Sequence, residues 1–171
     1  MRLIALAALA GCAFSAPLAA QPKSLALMDF ELIDEMRALI TEPARREDER
    51  RLALISAELA DALRRRGMYR LLQLAPVAPM IERLKASYAL RACNGCEIDI
   101  GRALGAERIA LCWVQKVSTL ILNINMEVRD VATGASVYAK SVDIRGNTDE
   151  SWLRGVRRLV DNIEERGHHL R

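Results

Sequence analysis

Apolar residues recur along the chain in two rhythms, and their succession lays out the elements. Lys23 to Leu32 (KSLALMDFEL) is a short apolar run bounded by polar residues, which predicts a first strand. Ile33 to Arg51 is mixed and charged, with Pro43 inside it, and reads as a surface connection with room for a short helical piece before the proline. From about Glu47, the residues Leu52, Ile55, Leu59 and Leu63 recur at helical spacing and predict an amphipathic helix. Arg64, Arg65 and Arg66 suit its last turn, where cations meet the negative end of the helix dipole, and Gly67 is a natural stop. Met68 to Leu74 predicts a second strand, broken by Pro76 and Pro79. A helical stretch over Met80 to Leu90, a tight turn at Cys93-Asn94-Gly95-Cys96 and a short helix over Glu97 to Leu104 follow, with Gly105 ending that helix.

Three strands come next. Arg108 to Val117 is apolar on both alternating sets, the mark of a strand covered on both faces. Thr119 to Asp130 alternates: Leu120, Leu122, Ile124, Met126 and Val128 face one way, and Asn123, Asn125, Glu127 and Arg129 the other, which predicts one wet face. Thr133-Gly134 turns the chain into a hairpin partner over Ser136 to Ile144. Asn147, with Glu150 three residues on, resembles a capping box. The final helix carries Trp152, Leu153, Val156, Leu159, Val160 and Ile163 on one stripe. The order is β-α-β-α-(α)-β-β-β-α, a mixed α/β fold with a sheet of about five strands and helices packed on it.

The first residues change the picture from a cytosolic chain to an exported one. Met1-Arg2, an apolar stretch from Leu3 to Ala16 and small residues before Gln21 have the parts of a Sec signal peptide, with Ala20-Gln21 as the expected cut. Residues 1–20 are thus expected to be the leader, and residues 21–171 one domain large enough for its own core. A second sorting is open: Leu9-Ala10-Gly11-Cys12 resembles a lipobox, which would leave Cys12 lipidated. The stretch before Cys12 is short and the residues after it stay apolar, so ordinary cleavage is the expectation. Cleavage at Ala20 removes Arg2 and no acid, lowering the formal net charge from +3 to +2. A charge so near neutral argues against a nucleic-acid partner.

Three short motifs resemble a known group of envelope domains. Leu27-Met28-Asp29-Phe30 looks like the opening strand of the TolB amino-terminal domain and its relatives CsgG and LpoB. Leu104-Gly105-Ala106-Glu107-Arg108-Ile109 is similar to their helix-ending Leu-Gly-Ala turn that feeds a strand, and Glu127 to Gly134 to their hairpin of a strand, Asp, two residues and Thr-Gly. The motifs occur in the same order and span most of the mature chain. The resemblance implies a small mixed α/β periplasmic domain that docks onto other envelope proteins. The chain lacks a β-propeller, pore-forming insertions and a long tether, and looks closer to uncharacterised secreted bacterial proteins that carry this domain alone.

Candidate chemistry centres on Cys93 and Cys96. In an oxidising compartment they predict a structural disulfide that pins the turn before the Glu97 helix. A redox pair is the second reading, because a thiol at a helix N-terminus has a lowered pKa. A metal site is the third, with Cys112, His168 and His169 as the remaining sequence candidates for ligands. Cys112 reads as a buried core thiol, and the two histidines as a terminal tail. Covalent haem is excluded, since Glu97 stands where a His must follow the second Cys. Asp29, Glu31, Asp34 and Glu35 read as a solvated acidic strand end. Gly101, Gly105 and Gly155 lack phosphate-loop spacing. The arginines Arg45, Arg46, Arg50, Arg51 and Arg64 to Arg66, interleaved with acids, read as a salt-bridged, solvated helix face.

These observations predict a non-enzymatic periplasmic binding or assembly module, with no catalytic residue, cofactor or metal, that docks on another periplasmic or outer-membrane protein. A lipoprotein facing the periplasm is the alternative placement. The wet strand face, with Asn123, Asn125 and Arg129, and the arginine-rich helix are the expected docking surfaces. A thiol-disulfide or metal-handling accessory acting through Cys93 and Cys96 is the alternative function.

Overall fold

In the computed structural model, which describes residues 21–166, β1 (Ser24–Asp34), β2 (Arg70–Leu71), β3 (Arg108–Lys116), β4 (Ile121–Asp130) and β5 (Ser136–Arg145) form one mixed sheet in the order β2-β1-β3-β4-β5. β1 runs parallel to both β2 and β3, and β3, β4 and β5 form an antiparallel meander. Four helices complete the chain: α1 (Glu42–Arg65), α2 (Ala78–Lys85), α3 (Cys96–Leu104) and α4 (Asp149–Arg166). The architecture is the mixed α/β order that periodicity predicts. The leader, Cys12, His168 and His169 lie outside the described residues.

The sheet separates two apolar cores. Leu25, Phe30, Ala110, Cys112, Val114, Leu122, Ile124 and Met126 face α1 and α4, where Ile55, Leu59, Leu63, Trp152, Val156 and Leu159 meet them. Ala26, Met28, Ile109 and Leu111 face the other way, onto Ile81 of α2 and Ile98 and Ile100 of α3. Burial on both alternating sets makes β1 and β3 the central strands, as continuous apolar runs require. At Gly155 the last helix closes on β4 and β5. A Cβ there would lie 2.7 Å from Ile124 and Ile144, so this glycine is a packing residue.

Several predicted boundaries move, each for a physical reason. The first long helix starts at Glu42, five residues before the predicted start near Glu47. Pro43 occupies its first turn, where the missing N–H costs nothing, and Thr41 caps it by accepting from the Ala44 N–H. The predicted second strand shrinks to Arg70–Leu71, an edge pair with one neighbour. The predicted helix over Met80 to Leu90 is Ala78–Lys85, with Pro79 likewise in its first turn, followed by a separate 3-10 turn at Leu90–Ala92. Leu120, 67% exposed, sits in the turn before β4 and not on the core face. Asn147 is not the cap of α4. Thr148 Oγ1 accepts from the Ser151 N–H while Ser151 Oγ accepts from the Thr148 N–H, a reciprocal box one residue later.

Candidate functional site

Of the three short motifs, Leu27-Met28-Asp29-Phe30 lies within β1, and the other two are turn-forming devices. Gly105 adopts a left-handed conformation (φ 67°) that ends α3, and the Ala106 N–H returns to the Gly101 carbonyl at 2.9 Å. Glu107, next along, accepts from the Ser24 backbone N–H at 2.8 Å and its hydroxyl at 3.0 Å, tying the turn to the start of β1. Those bonds, the backbone one first, hold the Glu107 carboxyl below its ordinary pKa. At the hairpin, Asp130 Oδ1 accepts from the N–H and hydroxyl of Thr133, and its other oxygen pairs with Arg108. Gly134 supplies the left-handed residue that leads into β5 (φ 73°).

The arginine-rich helix is committed to its neighbour. Arg50 Nη2 reaches Asp149 at 2.5 Å, Arg51 Nε reaches the same carboxylate at 2.9 Å, and Arg66 bridges Asp161 and Glu164 at 2.7 and 2.6 Å. These pairs join α1 to both ends of α4. Arg50, then Arg51, hold the Asp149 carboxyl below its usual range. Arg50 and Arg66 are exposed and salt-bridged, as a solvated face requires, but their partners lie across a helix–helix contact; Arg51, its side chain 13% exposed, departs from that face. Arg64 and Arg65 keep pairs within α1.

The acidic strand end is solvated at Asp29 and Glu35, which are exposed, and is corrected for Asp34 and Glu31. The Asp34 side chain is buried, and so is Asp48 of α1, with Lys116 Nζ between them at 3.7 Å and 2.5 Å. Asn147 and Arg51 complete the surround of Asp48. Glu31 accepts from the Leu90 N–H at 2.9 Å and from Arg91 at 3.1 Å, holding the turn before α3 against β1. Buried charges need such partners because desolvation otherwise outweighs attraction.

The α2/α3 side of the sheet is only half covered. Its core ends at Leu111. Beyond it, register places Glu31, Trp113, Asn125 and Ser141 in one row across the strands, and Ile33, Gln115, Asn123 and Asp143 in the next. Ala139, Ser141 and Asp143 are exposed, and Trp113, Gln115, Asn123 and Glu127 half-buried. The predicted wet face of β4 is thus real at its edges and closed at Asn125, which is 8% exposed and donates to the Trp113 carbonyl. Asn123 pairs with Asp143. Arg129 pairs with Glu127 at 3.0 Å and with Glu97 at 2.8 Å, linking β4 to α3.

The Arg129 contact leads to the cysteines. Cys93 and Cys96 are disulfide-bonded across a turn in which Asn94 and Gly95 are left-handed (φ 52° and 112°). Glu97, with its side chain 3% exposed, sends Oε1 to Arg129 and Oε2 to the Gly95 N–H at 3.0 Å. Oε2 also lies 3.4 Å from Cys93 Sγ. The two sulfurs and a Glu97 oxygen fall within 4.8 Å of one another, so Glu97 is the third donor that sequence spacing missed. In the disulfide state the sulfurs are spent on each other, and no thiolate is offered to a metal. Cys112 faces the opposite core, where burial pushes its thiol far above the ordinary range. Among the described residues, no helix is long and apolar enough to cross a membrane.

Known structures share this fold at low identity. The LpoB C-terminal domain from Salmonella enterica is similar with a TM-score of 0.52 and 15% identity, over 75% of this chain and 87% of that one. The lipoprotein GNA1162 from Neisseria meningitidis is similar with a TM-score of 0.53 and 16% identity, over 84% and 97%. At such identities the likeness shows the fold alone. It is the fold that the three short motifs imply. No curated protein matches the sequence. The family described as "Protein of unknown function (DUF2380)" matches residues 23–163, most of the chain, and the protein belongs to that family.

Proposed function

We propose that the protein is a non-enzymatic module of the bacterial envelope that docks on another periplasmic or outer-membrane protein. Residues 1–20 act as the export leader in this reading, and the mature domain works in the periplasm. Lipidation at Cys12, with the domain held at the outer membrane, is the variant of the same reading. The observation that carries it is the half-covered sheet face: a row of short polar side chains on β4 and β5 beside the half-buried Trp113. Interfaces commonly combine such an aromatic anchor with an adaptable polar surround. The resemblance to domains that dock on envelope proteins supports it from the sequence side.

The proposed surface contains Asn123, Asn125 and Arg129, but the three residues are unequal probes. Asn125 is buried and Arg129 neutralises buried Glu97, so their loss disturbs folding as well as docking. Asn123 and Ser141 are the clean positions. The test is affinity capture of the tagged mature protein from its native envelope after mild cross-linking. Asn123→Ala and Ser141→Arg should abolish or weaken recovery of the partner while leaving the circular dichroism spectrum and urea midpoint unchanged. Undiminished recovery with Ser141→Arg contradicts this surface.

A further inference from the structure

We propose that Cys93–Cys96 is an exchangeable disulfide that accepts two electrons from a dithiol reductant, with Glu97 as the group that receives the Cys93 thiol hydrogen bond. This inference stands apart from the docking reading. It rests on what surrounds the two sulfurs.

Cys93 Sγ lies 3.0 Å from the Leu90 carbonyl oxygen and 3.4 Å from Glu97 Oε2. Both neighbours are acceptors, and a disulfide sulfur has no proton to give them. In the oxidised protein these contacts therefore set lone pairs against lone pairs. Reduction puts a hydrogen on Cys93 that the waiting acceptors receive, one of them a carboxylate, and such charge-assisted bonds are the stronger kind. Glu97 is held for this role: Arg129 fixes Oε1, the Gly95 N–H fixes Oε2, and the side chain is out of solvent. The surroundings favour the dithiol, whereas an inert staple gains nothing from acceptors placed in this way.

Cys96 is different. It is the first residue of α3, a nine-residue helix, and Gly95 caps that helix. Free N–H groups of a first turn stabilise a thiolate, and a stabilised thiolate is the better leaving group. The asymmetry sets the order of events. A thiolate of the reductant attacks Cys93 Sγ; the Cys93–Cys96 bond breaks, and Cys96 leaves with the electron pair. The second thiol of the reductant, as thiolate, then attacks its own sulfur in the mixed disulfide. That closes the reductant's disulfide and releases Cys93, which takes up a proton facing Glu97. Two electrons pass to the protein, and one disulfide is exchanged for another. Neither cysteine is buried, so the step needs no unfolding.

The test uses the full mature chain equilibrated with mixtures of reduced and oxidised dithiothreitol, then trapped with an alkylating agent and read by mass. Glu97→Gln should need about a tenfold higher reduced-to-oxidised ratio for half-reduction, the size of one charge-assisted hydrogen bond. Arg129→Gln keeps the carboxylate and removes its cation, so it should shift the midpoint the opposite way. Shifts in the same direction, or none, overturn the role of Glu97. An independent reading needs no variant: in the reduced wild-type protein, brief iodoacetamide treatment should label Cys96 about tenfold faster than Cys93, as helix-start thiolates react. Equal labelling of the two contradicts the polarised pair.

Discussion

The two faces of one sheet are built to different standards. On the α1/α4 side, two long helices pack on the strands, a fully buried Trp152 belongs to the core, and arginine pairs join α1 to both ends of α4. On the other side, α2 and α3 have eight and nine residues, their core is smaller, and it stops halfway across the sheet. Helices that short are marginal on their own in water. The disulfide, the Glu97–Arg129 pair and the Glu31 bonds supply there what long apolar stripes supply opposite. One face holds the fold together, and the other keeps the surface that the proposed docking would use.

The sharpest way to break the contrast is through the larger core. Trp152→Ala should cost about 3–5 kcal/mol in urea unfolding, the usual loss for a fully buried large aromatic. Gly155→Ala should cost about 1–3 kcal/mol through overpacking against Ile124 and Ile144, measured in the same way. Cys93→Ser with Cys96→Ser should cost about 2 kcal/mol, because the closed loop is short. Its effect should be local: faster hydrogen exchange in α3 and at Leu90 to Ala92, with α1 and α4 unchanged. Uniform acceleration through all four helices would mean that the two faces are one cooperative unit.

The smallest effect is electrostatic. The Asp149 carboxyl is lowered in the folded state by Arg50 and Arg51. Its stabilisation is therefore complete above the ordinary carboxylate range and is lost as pH falls through the lowered value. Asp149→Asn should flatten the acid limb of the stability curve from about pH 5 downward. An unchanged acid limb would remove these pairs from the account of how α1 meets α4.

Local pattern made much of this fold legible. The stripe from Trp152 to Ile163 announced α4, and the doubly apolar run from Arg108 announced the central strand β3. The errors arose where one residue type has two meanings. Pro43 reads as the end of a helical piece, although a proline in a first turn starts a helix as readily as it ends one. Asn147 has the spacing of a cap, but its side chain joins Trp152 to Asp48 across the fold. The site was half legible. The Cys-x-x-Cys turn stood out by spacing, whereas the Glu97–Arg129 pair joins residues far apart in sequence and left no local signal. The burial of Asp34, Asp48 and Lys116 is of the same kind, because only tertiary structure brings those charges together.

In the proposed function, recognition belongs to the half-covered face and not to the face closed by α1 and α4. The most direct test places a photo-cross-linking residue at Ser141, on the open rows of β5, or at exposed Arg157 of α4, in otherwise wild-type protein within its own envelope. A discrete cross-linked envelope protein is expected from position 141 and none from position 157. Cross-linking from position 157 alone, or equally from both, would contradict that placement.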